Sequence, residues 1–195
     1  MELLPFPCVA VHVDEAKHPG GVIDAFLKER PSSRWVLLGG HAVQTNAQLW
    51  TAWVKTTRNE LRDTCVARSL DAEFMRYLAG THHVSEAFAR AGYQDGSGDA
   101  WILHLPQAES SQNSLGHIHP LVPENASIPG DLTALLHALD WKVSDTQMQL
   151  SIEESKHLGA DVSAVEFEEL EELEELEERL IAHISMADDQ SASHR

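Results

Sequence analysis

The chain has 195 residues, 43% of them hydrophobic, and a formal net charge of −17. That length suits one domain, or one domain with an appendage, and the apolar fraction is enough for a core. The longest apolar runs are a handful of residues, so no stretch would span a bilayer, and the opening MELLPFPCVAVHVDE has neither the basic region nor the apolar length of a secretory signal.

The acidity is uneven. Residues 1–105 carry 10 Lys+Arg against 12 Asp+Glu, whereas residues 106–195 carry 4 against 19. A uniformly acidic protein repels nucleic acid; a nearly neutral first half leaves room for an RNA-binding face. Lysines number only five, which suits a salt-adapted source. Cys8 and Cys65 stand far apart in apolar company and read as buried free thiols of a reducing cytoplasm.

CVAVHV (8–13) and WVLLGG (35–40) read as short buried strands closed by turn residues. Between them, VIDAFLKER (22–30) places Val22, Ile23, Phe26 and Leu27 on one helical face, and Pro31 stops it. Thr45 and Gln48 form a capping box. After it Trp50, Trp53, Val54, Thr57 and Leu61 recur at the spacing of a buried helical face. On another face of that helix, Thr51, Lys55, Arg58 and Arg62 make a basic stripe, whose plain reading is solvated surface.

Ser69 caps the next helix, with Leu70, Phe74 and Leu78 on one side. Gly80 stands where a glycine of positive φ would end it. Thr81 is expected to cap a further helix bearing Val84, Ala87, Phe88 and Ala91 inward and closed by Gly92. AWILHL (100–105) reads as a strand. Residues 106–130, rich in Pro, Ser, Asn and Gly, read as a long polar loop. Helices follow from Asp131, with Leu132, Leu135, Leu136 and Leu139 inward, and from Ser151 to Gly159. In the last segment nine of the thirteen residues from Glu166 to Glu178 are glutamate. Leu170, Leu173, Leu176, Leu180, Ile181 and Ile184 form one apolar stripe on that helix, and residues 188–195 read as a flexible tail. The whole predicts a single α/β domain over 1–187, a small mixed sheet flanked by helices with an amphipathic acidic C-terminal helix.

Chemistry concentrates at the turn YLAGTHHVSEAF, Tyr77 to Phe88. His82 and His83 with His117 and His119 would be candidate zinc ligands, but adjacent helical histidines point about 100° apart, and the loop pair lacks a Cys or carboxylate partner. No G-x-S-x-G, Walker or G-x-G-x-x-G pattern occurs. A helix start capped by Thr81 would instead offer the N–H groups of His82, His83 and Val84 to an anion, with imidazoles to stack on a base; solvated surface is the competing reading.

The ordered block from Thr45 to Leu103, the preceding GGHAVQ and the closing LEERLIAHISMADD resemble the small kinase-binding subunit of the KEOPS complex, the PRPK-binding-protein family. The resemblance implies a non-catalytic subunit without a cofactor. Its direct partner would be the kinase-like ATPase subunit, and the threonylcarbamoyl-transferring subunit would be reached through the complex. Family members help install threonylcarbamoyl on the adenosine next to the anticodon, and archaeal members hold tRNA by its 3′ CCA end. The implied tRNA-binding residues are Lys55, Arg58, Arg62, Arg76, Gly80, Thr81, His82 and His83. His82 and His83 stand where the family has Arg and Gln, which replaces a permanent charge by a mostly neutral ring. The implied kinase-facing residues are Leu176, Leu180, Ile181 and Ile184. An interaction adaptor that never meets RNA is the alternative.

Overall fold

The computed structural model describes residues 4–112, 118–162 and 170–189. Strands β1 (Cys8–His12), β2 (Trp35–Gly39), β3 (Asp99–His104), β4 (Glu109–Gln112), β5 (Ile118–Leu121) and β6 (Lys142–Val143) alternate with helices α1 (Val22–Glu29), α2 (Asn46–Arg62), α3 (Leu70–Leu78), α4 (Val84–Ala91), α5 (Asp131–Leu139), α6 (Ile152–His157) and α7 (Leu170–Ser185). The main sheet has the order β2-β3-β1-β6. Each neighbouring pair is antiparallel, so the sheet is not mixed. β1 and β2 do run in the same direction, but β3 lies between them, with Val9 opposite Ile102 and Leu37 opposite Ile102 from the other side.

Strand alternation sorts the core onto the two faces of the sheet. Val11, Trp35, Leu37, Ala100 and Ile102 face α1 and α5 and join Phe26, Leu135, Leu139 and Trp141. Ala10, Val36, Leu38, Trp101 and Leu103 face the other way and join Trp50, Trp53, Phe74, Tyr77 and Leu78. The result is three layers: α1 with α5, the sheet, and a thicker layer of α2, α3, α4 and α7.

Within the polar stretch 106–130, β4 and β5 pair as an antiparallel hairpin, and His117 of the histidine set lies outside the described residues. Cys8 is half-buried, and burial pushes its thiol up to about 12, whereas Cys65 is exposed rather than buried. Among the described residues no helix is long and apolar enough to cross a membrane.

The turn between α3 and α4 and its lock by the closing helix

α2 begins as its sequence requires. The Thr45 side chain accepts from Gln48 N at 3.1 Å, and the Gln48 side chain reaches back. α3 ends in a Schellman arrangement: Gly80 N donates to Tyr77 O and Thr81 N to Arg76 O, with Gly80 at φ +56°. α4 starts two residues later than expected. His83 is its N-cap, and the Thr81 hydroxyl accepts from His83 N at 3.2 Å while donating to the Glu86 carboxylate. Glu86 also holds Arg90 at 2.5 Å. The first turn of α4 therefore carries its own carboxylate, which complements the positive end of the helix.

Behind this turn lies a buried polar network. Arg76, fully buried, donates to Glu73 at 3.1 Å and to Asp188 at 3.2 Å, and its Nη1 donates to Thr81 O at 3.1 Å. Glu73 also accepts from Ala67 N at 2.9 Å and from Asn59 at 2.9 Å. Burial pushes the Glu73 carboxyl up, but Arg76, the Ala67 N–H and Asn59 together hold it below its usual range. Tyr77 donates to Asp188 at 2.8 Å, and burial raises its phenol well above the usual value. Asp188 is thus tied to α3 rather than loose in a tail.

α7 lies on α2 and touches α3. Its His183 Nε2 lies 3.0 Å from Ala79 O and 3.1 Å from Leu158 O, in position to donate to both, so α7 is pinned to the α3–α4 turn and to the end of α6. Burial holds the His183 ring below its ordinary pKa. Lys55 reaches across from α2 to Ser185 O at 3.5 Å.

The sequence-predicted site residues separate into three groups. Arg76, Gly80 and Thr81 are buried and shape the turn from behind. The Arg76 and Thr81 side chains are turned to partners inside the fold rather than to solvent. Arg58 and Lys55 are half-buried, Arg62 and His83 exposed, and His82 half-buried. The His82 and His83 rings stand 6.1 Å apart at 82°, and among the described residues no three His, Cys, Asp or Glu side chains gather as for a metal. The third group is the leucine stripe. Leu176, Leu180 and Ile184 are each 0% exposed, because the stripe fills the core against α2 rather than facing a partner. Ile181 alone of the four is half-exposed, on the flank of α7, and Leu173 begins that flank at 38% exposure.

Glu73, Tyr77, Asn59, Asp188 and His183 were missing from the sequence-based site. A Glu73–Arg76 pair at i,i+3 was the one legible hint of the network; the other partners meet only through the tertiary fold.

Comparison with curated proteins returned no match. The model of the family described as kinase binding protein CGI-121 matches residues 16–188, which is most of the chain and takes in every strand of the main sheet but β1, the α3–α4 turn and α7. This chain belongs to the CGI-121 family of kinase-binding proteins.

Proposed function

We propose that this chain is the non-catalytic small subunit of KEOPS, binding the kinase-like ATPase subunit and recruiting tRNA through its 3′ CCA end in the cytoplasm. The observation that carries the reading is the family match over residues 16–188. The kinase-facing surface in this reading is the flank of α7. Leu173, Glu177 and Ile181 follow one another at i,i+4 and so line one side of the helix, beside the buried stripe. The RNA-facing surface is the basic row Lys55, Arg58 and Arg62 with His82 and His83.

Two experiments test it. Ile181→Arg is expected to abolish co-purification with the kinase-like subunit while the chain stays folded; an intact complex refutes the flank. Intact tRNA is expected to bind more tightly than tRNA lacking its CCA end, and to weaken with added salt as phosphate contacts release counterions.

A second reading, an adaptor that binds the kinase and not RNA, is favoured by the burial of Arg76 and Thr81 and by the Glu86 carboxylate in the first turn of α4. Equal binding of the two tRNAs would decide for it.

A further inference from the structure

α6 lies over the turn that leads into α2, and one glutamine side chain ties it there. Gln44 Oε1 accepts from Ser151 N and from Ser155 Oγ, each at 3.1 Å. Gln44 Nε2 is buried at the same place without a hydrogen-bond partner, so the closed arrangement carries an unmade bond. Before α6, residues 145, 146, 147 and 149 are exposed. After it, Leu158 is sunk in the core and Gly159 turns the chain at φ +93°.

The C-terminal end of α6 rests on histidine. His41, in the turn between β2 and α2, meets His157 with ring centroids 4.3 Å apart at 61°. His41 Nε2 lies 2.7 Å from Arg90 O, in position to donate. A proton added to His41 therefore goes to Nδ1, and that edge of the ring lies against Gly39: a Cβ built there falls 2.8 Å from Nδ1. Burial holds the His41 ring below its ordinary pKa against the pull of the Arg90 carbonyl, and His157 adds to the lowering. From the other side, His183 of α7 bonds Leu158 O. The Arg90 guanidinium lies over Gly159, where a Cβ falls 2.5 Å from Nη1. His41, His157, His183 and Arg90 thus gather at residues 157–159, and Lys156 adds a further cation on α6. The neighbouring carboxylates are already engaged or weakened. Glu86 is shared by Arg90 and the Thr81 hydroxyl, and Asp99, against the backbone of Gly40, pairs with His12 at 3.3 Å. One turn before His157, burial and Glu153 push the Glu154 carboxyl up.

We propose that α6 is an acid-released strap: protonation of the His41–His157 pair drives residues 151–157 off the turn before α2, about a corner anchored by Leu158 and Gly159, while the sheet and α2 stay folded. Two imidazolium ions in ring contact repel each other and Arg90, and departure of α6 is the motion that separates them. Histidine is the side chain whose ordinary titration falls between about pH 5 and 8. A six-residue helix fastened through one amide belongs to the least stable part of a fold, and once released it melts, because so short a helix does not survive alone in water. The strap shares no residue with the α7 flank and does not depend on the reading proposed above.

The test uses the full chain alone, isotope-labelled, with amide hydrogen exchange read at about pH 7.5 and about pH 5.5 and each rate corrected for the intrinsic effect of pH. The Ser155 and Leu158 amides donate to Ser151 O and Glu154 O. They are expected to lose protection severalfold in acid, whereas the Ile102 and Leu103 amides of β3 lose less. His157 is exposed, so His157→Gln leaves the core intact. In that variant the His41 ring signals are expected to titrate at higher pH, because the neighbouring charge is gone, and the acid loss at Ser155 is expected to shrink. It does not vanish, since Arg90 and His183 remain. Unchanged protection of α6 in acid, an equal loss in β3, or a His157→Gln chain that matches the parent in both readouts overturns the proposal. Because no kinase-like subunit or tRNA is present in the experiment, its failure leaves the proposed complex untouched.

Discussion

Gly80→Ala tests how firmly the closing helix is locked to the turn. Gly80 holds φ +56°, and a Cβ built there falls on the His183 ring. The left-handed conformation alone costs a non-glycine residue about 1–2 kcal/mol. The collision adds about 1–3 kcal/mol of overpacking if the ring stays. If the ring swings away, it forfeits its bonds to Ala79 O and Leu158 O, worth about 1 kcal/mol each. The first route totals about 2–5 kcal/mol and the second about 3–4 kcal/mol, so about 3–4 kcal/mol is common to both, against a domain stability of about 5–15 kcal/mol. With a urea slope of about 2 kcal/mol/M, the unfolding midpoint should fall by about 1.5–2 M. Tryptophan fluorescence reads it, since Trp50 and Trp53 lie in the core beside α3. In a His183→Ala background the same change should cost only the backbone part, about 1–2 kcal/mol. A cost below about 1 kcal/mol, or the same cost in both backgrounds, would show that His183 does not hold the turn.

Leu180→Ala should destabilise by about 2–5 kcal/mol as a buried core truncation, and Leu180→Glu should fail to fold; a folded, partner-deficient Leu180→Glu would restore the stripe as an interface. Glu73→Gln should cost about 1–3 kcal/mol, because Arg76 loses one of its two carboxylate partners and keeps Asp188, and an unfolding temperature unchanged from the parent would contradict that. Stability should also fall in mild acid. Burial, with a smaller push from Arg90, holds His183 below 6.5 against the pull of its two carbonyls and Glu86; the unfolded chain therefore takes up its proton first, and stability drops as pH falls below 6.5. His41 is lowered by burial and acts with the same sign, so His183→Gln should flatten the slope between 6.5 and about 5 only in part; an unchanged slope would exclude His183 as a contributor.

Local rules were legible where a single segment decides the outcome. The Thr45–Gln48 capping box and the positive φ of Gly80 follow from residue chemistry at fixed offsets. Periodicity located each long helix, but it could not say which side of an apolar stripe is covered. On α1 it overestimated burial: Ile23 and Leu27 are exposed, because α5 covers only the Val22–Phe26 side. On α7 the opposite error arose: a stripe wide enough to greet a partner is consumed by the chain's own core. Sheet direction was equally hidden, since β3 comes sixty residues after β2 and inserts between β1 and β2. At the turn, a hydroxyl placed two residues ahead of the helix start mimics a cap in sequence. Thr81 instead ties His83 N to Glu86, and that shift moved the expected anion site onto a turn already furnished with a carboxylate.

These corrections place the two proposed surfaces in mechanical contact. α7 supplies the flank proposed to meet the kinase-like subunit, and the same helix inserts His183 under Gly80, while Asp188 just beyond its end holds Arg76 and Tyr77 of α3. Arg76 in turn holds the carbonyl of Thr81. A partner that shifts α7 along its axis would have to break these bonds before the backbone of the α3–α4 turn could follow. A partner that leaves α7 in place leaves the turn as it stands in the free chain. Because the buried stripe and the His183 lock act against any such shift, the second case costs less, and the two proposed surfaces would be fixed features of the fold. Kinase binding should then leave the affinity for tRNA at the turn unchanged, apart from any contacts the kinase-like subunit adds itself.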